Sequence, residues 1–283
     1  SENSGSRSMI WGSPKSYACL PARQVLGTMS AILLLVVFFA LPALSMSTSP
    51  QESFSFVVFG DNQGNDRVFN KIIDSINHDP YISFAVHVGD MVDSPTEKEY
   101  QHFLGLIKRL NVKMFPTMGN HDAVYGGDKR FNKYFGRVYY SFDHKNSHFI
   151  VMDNSLKNSF GKKQFDWLIT DLEKNKKVNT FVFFHKPLYD PSGIFLDYIM
   201  SSRETAEKLM DVFKTYHVKY VFFGHIHGYA RSVRAGTTYI LSGGAGGPLH
   251  LPPALGGFYH YVKITVKGDK IKSEVIKIDA QER

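Results

Sequence analysis

Five stretches of this chain are almost wholly apolar and then stop on a residue able to bind a cation. They are Phe56–Asp61, Ala85–Asp90, Met114–Asp122, Phe181–His185 and Tyr220–His227. Their ends read Gly60-Asp61, Gly89-Asp90, Gly119-Asn120-His121-Asp122, His185 and Gly224-His225-Ile226-His227. Each reads as an apolar strand that stops at Asp, Asn or His, usually with glycine just before. In open α/β sheets ligands bind beyond the carboxyl ends of the strands. A glycine before the ligand lets the backbone turn sharply there. One such ending means little; five make a site.

The rest of the sequence fits a single large α/β domain over residues 54–283. Its 283 residues, with 43% hydrophobic and 21% charged, suffice for a substantial core. A helix over 67–76 carries Val68, Phe69, Ile72, Ile73 and Ile76 on one face. Ser94-Pro95-Thr96-Glu97 reads as a capping box with proline in the first turn of the next helix. Hairpins are expected about Lys145-Asn146, Ala235-Gly236 and Gly268-Asp269, and further helices around Leu168 and Leu209. Helices alternate with strands early and antiparallel strands dominate late. The expected architecture is therefore two stacked mixed β-sheets flanked by helices.

Residues 1–53 read separately, as a signal peptide or membrane anchor followed by a linker. No charged residue occurs between Arg23 and Glu52, while Arg7, Lys15 and Arg23 lie upstream. Ala43-Leu44-Ser45 offers small residues for cleavage, which favours a leader over an anchor. In either case the domain is expected to be exported: periplasmic, secreted, or attached to the membrane through this segment with the catalytic part outside.

Composition narrows the chemistry. Cys19 is the only cysteine and precedes the apolar segment, so any metal is held by oxygen and nitrogen donors. The net charge of +7 draws in anions such as phosphate esters; its scattered lysines make no nucleic-acid partner evident. If the five ends converge, they bring together Asp61, Asp90, Asn120, His185, His225 and His227, with Gln63 nearby. A carboxylate can bridge two divalent cations while imidazole and amide oxygen fill the other positions. Two cations about 3.5–4 Å apart form a clamp for in-line displacement at phosphorus and activate a bridging water. His121 then stands free beside Asn120 and, oriented by Asp122, is suited to protonate a departing alkoxide.

In this order the blocks resemble the calcineurin-like metallophosphoesterase superfamily, over essentially everything from Phe54 onward. The resemblance implies a four-layer sandwich and hydrolysis of a phosphomono- or phosphodiester at two divalent ions (manganese, iron, zinc or magnesium). It implies a first ion on Asp61, Asp90 and His227, with Gln63 where the family usually has His. The second would take Asp90, Asn120, His185 and His225, with Asp90 bridging and His121 as the catalytic histidine. Gln63 departs from the pattern: an amide oxygen is a weaker donor than imidazole and favours harder ions such as Mn²⁺ or Mg²⁺. The block Gly89-Asp90-Met91-Val92-Asp93 lacks both the Arg-Gly of Ser/Thr phosphatases and the tyrosine of purple acid phosphatases.

Bland roles are expected for most other candidates. His87 sits inside an apolar strand as a hydrogen-bonded core group, and His78, His102, His144, His148 and His217 fall on surfaces or loops. Asp93 reads as a turn or helix-start residue. Tyr125, Arg130, Tyr189, His250 and His260 lie close enough to the blocks to be candidates for touching substrate. A non-catalytic scaffold that keeps the fold is the rival reading; it would show eroded ligands, and here only Gln63 departs.

Overall fold

The structure is a computed structural model that describes residues 53–280. The leader-like segment lies outside these residues. Among the described residues no helix is long and apolar enough to cross a membrane.

Among the described residues eleven strands form two stacked mixed sheets, flanked by six α-helices. The first sheet contains β1 (Ser53–Phe59), β2 (Ile82–His87), β3 (Lys113–Pro116), β10 (His260–Lys267) and β11 (Lys270–Lys277), in the order β11-β10-β1-β2-β3. The second contains β4 (Tyr140–His144), β5 (Ser147–Val151), β6 (Asn179–Phe183), β7 (Tyr220–Phe223), β8 (Tyr229–Arg234) and β9 (Thr237–Ser242), in the order β4-β5-β6-β7-β9-β8. Strands β1, β2 and β3 run parallel, as do β5, β6, β7 and β9. The late hairpin β10–β11 returns to the first sheet and pairs antiparallel with β1.

Strand alternation sorts the apolar residues into three layers. Phe56 and Val58 of β1 point between the sheets with Phe84, Phe149, Phe181, Phe183 and Phe222. Phe56 meets Phe149 edge-on at 5.2 Å, and so does Phe84 at 5.1 Å, a packing that suits the aromatic quadrupole. Val57 and Phe59 point outward, under α1 (Asp66–Asn77) and α2 (Glu97–Ile107). The outer face of the second sheet packs on α5 (Lys162–Lys174) and α6 (Arg203–Thr215). This is the expected four-layer sandwich, and it explains why β1 is apolar on both faces.

Two local readings are corrected. The N-cap of α2 is Thr96, whose hydroxyl accepts from the Glu99 amide at 3.2 Å; Ser94 and Pro95 precede the helix. Glu99 reaches back instead, accepting the Asp93 and Ser94 amides at 3.0 Å each. The run after β3 is not a strand to its end. β3 stops at Pro116, and Asn120, His121 and Asp122 sit on a single helical turn, α3 (Asn120–Ala123), before α4 (Gly127–Phe135). Helical spacing sends these three side chains in different directions, which matters for the site.

Candidate metal centre

The carboxyl ends of β1, β2, β6 and β7 meet at one edge of the sandwich, joined there by α3. Asp61 and Asp90 leave their strands at φ of 63° and 56°, Gln63 follows at 40°, and His225 sits at 70°. The left-handed region costs a non-glycine residue about 1 kcal/mol or more, least for Asp and Asn, so such clustering marks a constrained site. Glycine makes room for it. A Cβ on Gly224 would lie 2.5 Å from Asp61 Oδ2, and one on Gly89 (φ 99°) 2.5 Å from His185 Nδ1.

Two donor groups result, and Asp90 belongs to both: Asp90, His185 and His225, and Asp61, Asp90 and His227. His185 Nε2 lies 3.3 Å from Asp90 Oδ2 and 2.9 Å from Asn120 Oδ1, which places Asn120 in the first group. His227 Nε2 lies 3.5 Å from Asp61 Oδ1. Gln63 stands beside the second group with its amide nitrogen 3.4 Å from Asp90 Oδ2. All seven residues proposed as ligands thus come together.

The donor set fits divalent cations. His185 Nδ1–H donates to the Val88 carbonyl at 2.9 Å and His227 Nδ1–H to the Pro248 carbonyl at 2.7 Å. Each hydrogen bond fixes the tautomer and turns an Nε2 lone pair toward carboxylate oxygens, the outer-shell arrangement that aims metal-binding histidines. Lone pairs facing lone pairs require positive charge between them. Asp61 Oδ2 is buried with no hydrogen-bond partner, a costly state for a carboxylate oxygen unless a cation completes it.

The electrostatics agree. Burial pushes the Asp61 carboxyl well above its ordinary range against the pull of His185, and the charge on Asp90 adds to the rise. Burial would raise Asp90 too, but the neighbouring His185 outweighs it and holds Asp90 below the usual carboxylate range. His185 shows the reciprocal effect: burial opposes its charged form, yet Asp90 lifts it to about 9, so a proton holds the place between His185 and Asp90 that a cation would take. Burial drives His225 well down and His227 to about 4, so both remain neutral donors near pH 7.

His121 lines the cleft but is not oriented by Asp122. Its Nδ1 donates to the Asp93 carbonyl at 2.7 Å, with the Asp93 carboxylate 3.9 Å away. Asp122 is fully buried and turned back on the backbone. It accepts the amides of Asp90 (2.9 Å), Gly119 (2.8 Å), Met91 (2.9 Å) and Val92 (3.3 Å). Consecutive residues on one helical turn cannot share a direction, so the catalytic role expected for Asp122 is replaced by an architectural one. It ties the turn after β2 to the turn after β3.

Other residues were foreseen only in part. His87 Nε2 donates to Asn62 Oδ1 at 2.9 Å, while its Nδ1 accepts the Gly89 amide at 3.1 Å. Asn62 in turn donates to the Met91 carbonyl at 3.0 Å, so the turns carrying Asp61 and Asp90 are bolted together beneath the cleft. His250 stacks on His227 with ring centres 4.0 Å apart and accepts its amide at 3.1 Å. Tyr189, by contrast, is core: its hydroxyl bonds Ser232 at 2.6 Å and the Arg234 guanidinium covers its ring. His260 is likewise buried beside Ser242, Arg130 lies 4.0 Å from Glu97, and Tyr125 is fully in solvent. His148 is not on the surface as expected; it is buried between Asp143 and Asp171 at 2.6 and 2.8 Å.

Above the donors opens a cleft of about 350 Å³. It is lined by Gln63, Asp90, Asn120, His121, His225 and His227 together with Tyr198, Pro248 and His250. None of these is lysine or arginine.

Comparison with known proteins follows the same line. Over 166 residues the chain is 26% identical to a 3',5'-cyclic-nucleotide phosphodiesterase of Nostoc sp., covering 57% of this chain and 62% of that one. The chain therefore spans about three fifths of that relative's length. The fold is similar to that of purple acid phosphatase from yellow lupin, Lupinus luteus (TM-score 0.68, 18% identity, 80% of this chain and 52% of that one). It is also similar to a dimetal phosphatase from Danio rerio (TM-score 0.60, 13% identity, 80% of this chain and 96% of that one). The profile of the calcineurin-like phosphoesterases matches residues 54–229, and the chain belongs to that family.

Proposed function

We propose that this chain is a metal-dependent phosphoester hydrolase that acts on phosphodiesters and holds a pair of divalent cations on the two donor groups that share Asp90. The observation that carries the reading is that sharing: one buried carboxylate belongs to both clusters. Asp61, Gln63 and His227 would complete one position, Asn120, His185 and His225 the other. When bound, such a pair supplies Lewis acidity, lowering the pKa of an attacking water and neutralising charge on phosphoryl oxygens.

The chain's own residues supply the rest. His121, its Nδ1 held by the Asp93 carbonyl, lines the cleft and would give a proton from Nε2 to the departing alkoxide. Pro248 and Val88 carbonyls keep the histidine donors aimed, so little reorganisation is needed when substrate arrives. The activity named for the Nostoc relative favours the diester. The Gln63 amide, turned to present its oxygen, would favour Mn²⁺ or Mg²⁺ at its position. The leader-like residues 1–53 support an exported location.

Hydrolysis of bis-p-nitrophenyl phosphate and p-nitrophenyl phosphate, before and after chelation and with Mn²⁺ restored, tests the reading. The expected result is turnover of the diester ahead of the monoester, lost on chelation and regained with metal. Tight metal binding with no turnover of any ester would instead identify a scaffold.

A further inference from the structure

The cleft has one wall unlike the rest. Among the described residues nine large apolar side chains are well exposed, and three of them, Ile194, Leu196 and Tyr198, fall within five residues of one loop. Exposed apolar groups concentrated in this way call for a ligand, since scattering is the ordinary state. Of the three, Tyr198 lines the cleft. Its ring centre lies 5.9 Å from that of His225 and 5.8 Å from that of His250, and the residue is 48% exposed.

The loop that carries it is built to hold a position. Asp190 accepts the amides of Ser192 (2.8 Å), Ile194 (2.7 Å) and Phe195 (2.7 Å), knotting the start of the loop. The Met200 amide closes the far end on the Pro187 carbonyl at 2.8 Å, and Arg203 donates to the Leu196 carbonyl at 3.1 Å. Phe195 backs Tyr198 at 5.5 Å between ring centres. A tyrosine used only as filler would be covered by protein; here about half of the residue is left open where it lines the cleft.

We infer that Tyr198 is a specificity-determining residue whose ring receives an aromatic or otherwise flat apolar group on the substrate ester. The group concerned is the one that stays on phosphorus after cleavage. His121 reaches the cleft from the Asp93 side, whereas Tyr198 stands beside His225 and His250. A leaving alkoxide protonated by His121 and a retained group over Tyr198 therefore occupy different walls. The inference rests on the phosphodiester reading, because a monoester has no retained group.

Two diesters with the same leaving group separate these ideas: phenyl p-nitrophenyl phosphate and methyl p-nitrophenyl phosphate. In both, the bond from phosphorus to p-nitrophenolate breaks and one to a water oxygen forms, leaving phenyl phosphate or methyl phosphate. With the Mn²⁺-loaded chain, Tyr198→Ala is expected to lower kcat/KM for the phenyl ester by about 10-fold, the scale of a lost stacked ring. The methyl ester should stay within about twofold, and Tyr198→Phe, which keeps the ring, should behave as wild type. An unchanged ratio between the two esters in Tyr198→Ala, or an equal fall for both, would overturn the assignment. If neither ester is hydrolysed, it is the phosphodiesterase reading that fails. Calorimetric titration then decides the platform separately. Diphenyl phosphate binding more tightly than dimethyl phosphate, with the gap removed in Tyr198→Ala, supports it; equal binding overturns it.

Discussion

Asp61, Gln63 and Asp90 reach the cleft from the first sheet, and His185, His225 and His227 from the second; the two sides are fixed by different means. The acidic side is held by backbone conformation: all three residues lie at positive φ, and the turns are tied together through Asn62, His87 and Asp122. On the imidazole side, His185 and His227 are aimed by Nδ1–H bonds to backbone carbonyls, and His225 alone shares the positive φ of the acidic side. The first scheme places mainly carboxylate oxygens and the second imidazole nitrogens. A cation pair needs both, so damage to either side should have a different signature.

The largest effect is expected at the residue both clusters share. Asp90→Asn keeps the shape and removes the bridging charge, and diester turnover should fall on the order of 10⁴-fold with loss of bound metal. His121→Ala should lower kcat by roughly 10²- to 10³-fold while metal content stays at the wild-type value. The contrast between these variants, read by elemental analysis beside kinetics, separates holding a cation from moving a proton.

The neighbour of His121 should behave differently again. Asp122→Ala strips four buried amides of their acceptor, and stability is expected to fall by about 3 kcal/mol or more in denaturant titrations. A variant that folds as well as wild type but loses only turnover would restore Asp122 to the chemistry. Gln63→His replaces the one weak donor of the acidic side. It should tighten the affinity of that position several-fold, seen as a metal titration whose weaker step moves toward the stronger one.

A smaller effect lies away from the cleft and concerns pH. Burial works against a charged His148, but the hydrogen bonds it donates to Asp171 and Asp143 win and raise its pKa in the folded state. Lys177, 3.5 Å from Asp143, is the other charged group at this cluster. Because the folded value exceeds the unfolded one of about 6.5, the stabilisation is complete below about pH 6.5 and is lost as pH rises through the folded value. His148→Gln should therefore cost about 1–2 kcal/mol near pH 6 and progressively less at higher pH, measured by chemical denaturation.

Much of this was legible in the chain because strands buried on both faces carry few polar residues before they end. Asp61, Asp90, His185, His225 and His227 stand out against Phe and Val for that reason, and the hairpin turns announce themselves through Gly236 and Gly268. What was not legible depends on direction. The sequence Asn120-His121-Asp122 cannot say that one helical turn sends Asp122 inward to the backbone. Nor can Ser94-Pro95-Thr96 say which hydroxyl caps α2 until Glu99 is seen folding back. His148 looked like a surface residue because its acidic partners come from β4 and α5, one of them 23 positions away. Tyr198 lies in a loop with no periodicity, where only the knot around Asp190 gives it a place.

The central claim is that two cations share Asp90, and counting them tests it most directly. After loading with Mn²⁺ and removal of excess, the chain should hold two ions, and their electron paramagnetic resonance should show magnetic coupling through a common ligand. Asp90→Asn should abolish that coupling. A single ion per chain, or two uncoupled ions unaffected by the substitution, would contradict the account.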